Sequence, residues 1–203
     1  MATRGFTGRS RNPGVEQPGR LPPGQFLTAD FPVLSAGPTP QVAREDWGFE
    51  LRVGPRPVKS WSWVDFIRLP ITKATRDIHC VTKWSKFDTN WEGVSIQDLL
   101  ADAALEPPTG FTLAHSYDGY STNVPVKDLV GGHGMIAIAY DGKPIAAEHG
   151  GPARLLVPHL YFWKSAKWVK GLQFTERDEA GFWELRGYHM YGDPWQEQRY
   201  SGD

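Results

Sequence analysis

The chain has 203 residues, 40% of them hydrophobic and 22% charged, the proportions of an ordinary globular protein long enough to bury one sizeable core. Its net charge of -1 and isoelectric point of about 6.6 speak against a general affinity for nucleic acid or for an anionic membrane surface. The single cysteine rules out an internal disulfide and a thiolate-rich zinc site, and no apolar run approaches the roughly 18 to 20 residues that span a bilayer. A cytoplasmic chain with no membrane span and no nucleic-acid partner, kept in a reducing compartment, is the expectation.

Residues 1–25 set Arg4, Arg9, Arg11 and Arg20 among glycines and prolines, without the apolar stretch of a signal peptide. Ser10 separates Arg9 from Arg11, so the twin-arginine pattern is absent. This stretch reads as an extended N-terminal tail, and 26–203 as a single domain. Thr28 to Leu34 is a short apolar segment closed by Gly37-Pro38, and Trp47 to Val53 alternates as a strand before Gly54-Pro55. Ser62 is placed to cap a short helix that Pro70 stops.

Arg76 to Thr82 alternates as a half-buried strand, which puts Cys80 near a strand end, where a loop can open a pocket beside it. Ser95 then caps a clearer helix with Ile96, Leu99, Leu100, Ala103 and Ala104 on one face, ended by Pro107-Pro108. Strands are expected at Phe111 to His115, Met135 to Tyr140, Arg154 to Val157, Val169 to Phe174 and Phe182 to Leu185. Asp141-Gly142 reads as a tight turn, and Val126 to Leu129 and His159 to Lys164 as helical turns. Strands with a few short helices, in no regular alternation, indicate an α+β fold of mixed sheets.

Three stretches carry polar residues that a core does not require. His149 to Arg154 combines glycines, which let backbone approach a ligand closely, with a guanidinium; Lys164 to Trp168 adds two amines. Arg154, Lys164 and Lys167 therefore outline an anion pocket. His115 to Asn123 is a polar loop directly after a strand, a common place for binding residues.

The Cys80 segment with Trp84-Ser85, the loop through Asp118-Gly119-Tyr120, the His-Gly-x-Pro-x-Arg run from His149 to Arg154 and Ser-x-Lys-Trp from Ser165 to Trp168 resemble, in order and separation, the sulfite oxidase family of molybdopterin enzymes. The resemblance covers about residues 27 to 185. It implies a sulfite-oxidase-type fold and one molybdenum-molybdopterin per chain, with Cys80 as metal ligand. It further implies that His149, Arg154, Ser165, Ala166 and Lys167 hold the pterin and its phosphate, with Ser116 near another pterin contact and Phe31, Pro32 and Val33 as an entry loop.

The chemistry so implied is a two-electron oxygen-atom transfer in which molybdenum cycles between Mo(VI) and Mo(IV), the protein orienting the cofactor and admitting one small substrate. Asp118 and Tyr120 are the catalytic candidates beside Cys80, and His79, Lys83 and Trp84 are further candidates for the substrate side. Trp84 stands where sulfite-oxidising members carry an arginine, which disfavours sulfite and resembles the bacterial branch of the methionine-sulfoxide reductase catalytic subunit. No haem module accompanies the domain, so a separate flavin or haem protein is the expected electron partner.

Taken singly, each residue has a plainer reading: Cys80 as a small buried hydrophobe, His149 and Arg154 as loop and surface groups, Asp118-Gly119 as a turn. Two other functions follow from such readings. One is a non-catalytic molybdopterin carrier or sensor. The other is a cysteine-nucleophile enzyme using His79 or His115, which the opposite facing of adjacent strand residues disfavours for His79.

Overall fold

The computed structural model describes residues 19–203; the tail expected over 1–25 lies, up to residue 18, outside the described residues. In chain order the strands are β1 (Phe26–Leu27), β2 (Gly48–Val53), β3 (Arg56–Ser62), β4 (Thr72–His79), β5 (Trp84–Ser95) and β6 (Phe111–Ser116). They continue as β7 (Ser121–Pro125), β8 (Met135–Tyr140), β9 (Lys143–Pro144), β10 (Arg154–Leu156) and β11 (Val169–Thr175), with helices α1 (Trp63–Phe66) and α2 (Ile96–Asp102) between. One sheet runs β1-β5-β8-β10, with β4 also paired to β5 and β9 to β8; the other runs β3-β2-β11-β6-β7. Mixed sheets with two short helices are the α+β architecture that the chain's patterning predicts.

The sheets cohere through a shared core. Phe49 and Leu51 from β2, Ala114 from β6 and Leu172 from β11 meet Val94, Ile136 and Leu155 of the other sheet, along with Leu99 and Leu100 of α2. Ser95 caps α2 by accepting the Asp98 amide at 3.0 Å, and Ser62 does the same for Asp65 at 3.2 Å in the single turn of α1. Because β8 and β10 alternate, Met135, Ala137 and Leu156 face the other way and join Ile78, Cys80, Trp84, Trp91 and Phe162 in a second apolar cluster. The first sheet thus packs on both faces, and a cavity opens on the second face, beside Cys80.

Cys80 follows β4 immediately. Its amide donates to the Trp84 carbonyl at 2.8 Å and its carbonyl accepts the Lys83 amide at 3.0 Å, closing a tight turn into β5. Lys83 takes the left-handed conformation that such a turn needs, with φ 75°. The arm before β2 fastens this hairpin: β1 lies parallel to Trp84-Ser85, and Arg20 forks to Asp77 at 2.6 and 2.8 Å and to Asp88 at 2.7 Å. One expected strand is absent, since Phe182 to Leu185 lies at a 3-10 turn over Glu184–Arg186. The physical cause is Glu184, drawn inward to accept hydrogen bonds from three buried side chains, Lys164, Trp163 and Thr122.

Candidate active site

A cavity of about 290 Å³ opens beside the Cys80 turn, close to the lower end of the roughly 300–1,000 Å³ usual for small-molecule sites. It gathers segments far apart in sequence: Phe31 and Pro32, the Cys80 turn with Trp84, Asp118 and Tyr120, His149 and Arg154, and Ser165 to Lys167. Val33 and Ser116 are not among its walls. Val33 is half exposed, while Ser116 is buried behind the loop, where its amide holds the Tyr120 carbonyl at 2.9 Å.

Cys80 is 7% exposed. Burial pushes its thiol above the usual range, whereas the Thr82 hydroxyl, the amides of Thr82 and Val81, and the charge of Lys167 favour the thiolate. His79, its neighbour on the strand, turns to the opposite face, where it borders a separate cleft with Asp77, His133 and His159. His79 is therefore not a substrate-side residue, and burial lowers its pKa to about 4. His115 sits on the other sheet, hydrogen-bonded to Gln173 at 3.2 Å. Neither histidine shares the cysteine's cavity, so the nucleophile pair of Cys80 with His79 or His115 is not formed. Lys83, another expected substrate-side residue, is likewise outside it.

The positive charge on the cavity wall comes from Arg154 and Lys167. Arg154 is 1% exposed, and its guanidinium donates to the His149 carbonyl at 2.8 Å and the Ser165 carbonyl at 2.7 Å while lying 4.1 Å from the centre of the Phe162 ring. Its Nε has no partner, and among the described residues no carboxylate pairs with it. Burial pushes its pKa down to about 9. A buried cation held only by carbonyls is costly unless an anion completes it.

Lys167 donates to the Leu34 and Glu148 carbonyls at 2.8 and 2.6 Å and to the Ser35 hydroxyl at 3.1 Å. Those three acceptors match the three protons of an ammonium, so in this arrangement Lys167 acts on a bound anion through its charge. Burial first, then the nearby Arg154, lowers its pKa to about 8. Gly150, with φ 104°, permits the approach: a Cβ there would come within 2.9 Å of the Lys167 Cβ. Across the cavity Phe31 stacks on the His149 ring at 4.0 Å, so the entry segment forms an aromatic wall.

Lys164, expected among the anion donors, is elsewhere. It is fully buried and bonds Glu184 at 2.6 Å, the Asn123 side chain at 2.6 Å and the Met190 carbonyl at 2.6 Å. Tyr120 lines the cavity, but its hydroxyl donates to the Trp163 carbonyl at 2.7 Å. Asp118 presents a carboxylate whose Oδ1 accepts the Tyr120 amide at 3.0 Å. Among the wall residues not singled out in the sequence are Phe162, Trp163, Trp183 and Tyr188. Trp183 lies within the segment read as a strand and Tyr188 just after it, and the hint for both was the density of aromatics there.

Residues 36–183 match the family described as "Oxidoreductase molybdopterin binding domain". The chain is 41% identical over 201 residues to "Uncharacterized oxidoreductase YuiH" of Bacillus subtilis (strain 168), covering 98% of this chain and 100% of that protein. It is 26% identical over 134 residues to "Putative protein-methionine-sulfoxide reductase subunit YedZ1" of Azospira oryzae, covering 66% of this chain and 50% of that protein. With "Sulfite oxidase, mitochondrial" of Drosophila melanogaster it shares 23% identity, over 81% of this chain and 34% of that one. Among solved structures the fold resembles the sulfane dehydrogenase SoxCD of Paracoccus pantotrophus, with a TM-score of 0.59 at 21% identity, over 70% of this chain and 41% of that chain. The match through the body of the chain, together with the full-length likeness to YuiH, shows that this protein belongs to the sulfite oxidase family of molybdopterin-binding oxidoreductases and that its cofactor is molybdenum-molybdopterin.

Proposed function

We propose that this protein is an enzyme catalysing two-electron oxygen-atom transfer to or from a small sulfur- or nitrogen-containing substrate, with Cys80 as the thiolate ligand of molybdenum and one cofactor in the single domain over 26–203. The observation that carries the reading is the convergence in one cavity of a buried sulfur with two cations, Arg154 and Lys167, whose hydrogen bonds go to carbonyls and a hydroxyl and not to a carboxylate. The donor set fits the group: a soft sulfur for molybdenum, aromatic walls for a flat heterocycle and cationic charge for its phosphate. Once bound, the cofactor supplies the redox chemistry.

The chain's residues supply the rest. Arg154, anchored on the His149 and Ser165 carbonyls, would turn its unpartnered edge to the phosphate, with Lys167 adding charge. Phe31 and His149 would cover the ring system, and Ala166 would shape its bed. Trp84 and Asp118 face the substrate side. An indole where sulfite-oxidising relatives carry arginine, in a cavity that also presents a carboxylate, disfavours a dianion such as sulfite and favours a neutral S- or N-oxide. Electrons would pass through a separate flavin or haem protein. We place the protein in the cytoplasm; no helix among the described residues is long and apolar enough to cross a membrane.

Expression in a molybdenum-competent host, followed by elemental and pterin analysis, tests the reading at its base: about one molybdenum and one pterin per chain are expected, with turnover of S- or N-oxides exceeding that of sulfite. Cofactor without any turnover would favour the carrier or sensor reading. Arg154→Met is expected to lower pterin content severalfold while the fold persists. Wild-type pterin content in that variant would remove Arg154 from the site.

Retention also has a defined pH dependence. The folded-state pKa of Lys167 is lowered to about 8, and an anion binds its protonated form, so affinity should be flat below that value and fall by up to roughly tenfold per pH unit above it. Pterin released during buffer exchange at pH 7 and pH 9 measures this. Equal release at both would exclude Lys167 as a charge partner.

A further inference from the structure

The Cys80 sulfur does not stand alone in its turn. The Thr82 hydroxyl lies 3.1 Å from Sγ in donor geometry. The turn that sets this distance is fixed from behind by Gln25 of the N-terminal arm, whose Nε2 donates to the Cys80 carbonyl at 3.2 Å. Gln25 Oε1 accepts the Ser85 hydroxyl at 3.3 Å, and Ser85 Oγ lies 2.9 Å from His79 Nδ1. A single arm residue thus ties the Cys80 carbonyl to β5 and, through Ser85, to the end of β4. The Lys83 carbonyl, on the far side of the turn, is held by the Phe26 amide at 2.8 Å. Sulfur and hydroxyl are consequently carried on a backbone whose polar groups are already engaged.

We propose that Thr82 is a positioning residue for the metal centre: its hydroxyl donates to the Cys80 sulfur, orients it and restrains its electron donation to the metal. The proposal rests on the reading of Cys80 as ligand and goes beyond it by assigning a determinant of reduction potential. A hydrogen bond to a ligating thiolate draws negative charge away from the sulfur, which leaves the metal easier to reduce. Thr82 is exposed on the turn, so its replacement tests this donor without emptying the core.

The discriminating pair is Thr82→Val, which keeps the branched shape and removes the donor, and Thr82→Ser, which keeps the donor and removes the methyl. In the molybdenum-loaded enzyme Thr82→Val should shift the midpoint potential to a more negative value, with the spectroscopic signature of the metal altered and the KM for substrate unchanged. Thr82→Ser should restore both potential and spectrum. A potential unmoved in Thr82→Val at full molybdenum occupancy overturns the assignment, and so does a raised KM at constant potential, which would make Thr82 a substrate contact. A protein that takes up no molybdenum in any variant would sink the ligand reading itself, an outcome distinct from either.

Discussion

Cys80→Ser is expected to reduce turnover to background while the protein stays folded. The change replaces a soft sulfur by a hard oxygen of nearly the same shape, and a serine hydroxyl is neither acidic nor polarisable enough to replace a thiolate on molybdenum. Losing an outer-shell partner of a metal costs roughly 10 to 100-fold in affinity or activity, so loss of a ligand should exceed that range. The fold has reasons to survive. Cys80 contributes its amide and carbonyl to the turn, bonds that serine makes equally well, and the sulfur sits beside a cavity, where a slightly smaller atom leaves no sealed void. Turnover, molybdenum content and the unfolding temperature of the variant check the three parts separately. Wild-type turnover in Cys80→Ser would refute the ligand assignment outright; lost turnover with a collapsed unfolding temperature would show that the cysteine is part of the packing instead.

Much of the fold was legible because local chemistry and tertiary structure agree. Ser62 and Ser95 cap the helices where their spacing from Asp65 and Asp98 predicts, and the apolar run Met135–Tyr140 is a strand with those ends. The longest strand, β5, was not anticipated. Asp88, Asn90 and Gly93 interrupt its alternation, and Asp88 is left-handed at φ 55°; pairing with β4 on one side and β8 on the other supplies the order that its own residues do not. In the candidate site, resemblance marked residues from four distant segments, and the cavity brings most of them together. The residue pattern by itself could not separate Arg154, Lys164 and Lys167, three cations with the same apparent purpose, whereas the resemblance marked only Arg154 and Lys167. Only the position of Glu184, far along the chain, decides that Lys164 is bound internally while the other two face the cavity.

That position gives Lys164→Met the second large effect. Lys164 and Glu184 are both fully buried as side chains and meet at 2.6 Å. Glu184 also accepts from Trp163 Nε1 at 2.8 Å and from Thr122 at 3.0 Å, and Lys164 also reaches the Asn123 and Met190 carbonyls at 3.0 and 2.6 Å. Removing one member leaves the other charged and buried with its compensation gone, a loss of about 3 to 5 kcal/mol. For a domain of this size each kcal/mol lowers the unfolding midpoint by roughly 2 to 4 °C, so a fall of about 6 to 20 °C is expected. The double variant Lys164→Met/Glu184→Gln removes both charges and should recover part of it, since the neutral amide can still accept from Trp163 and Thr122. The consequence reaches the cavity because Trp183 and Tyr188 flank Glu184 and form one of its walls. Lys164→Met should therefore weaken substrate binding even at temperatures where the protein remains folded, although no atom of Lys164 lines the site. A midpoint within about 2 °C of wild type, less than the loss of even 1 kcal/mol would produce in a chain of this length, would show that the C-terminal segment is anchored by its aromatic packing and that the buried pair is incidental to the wall.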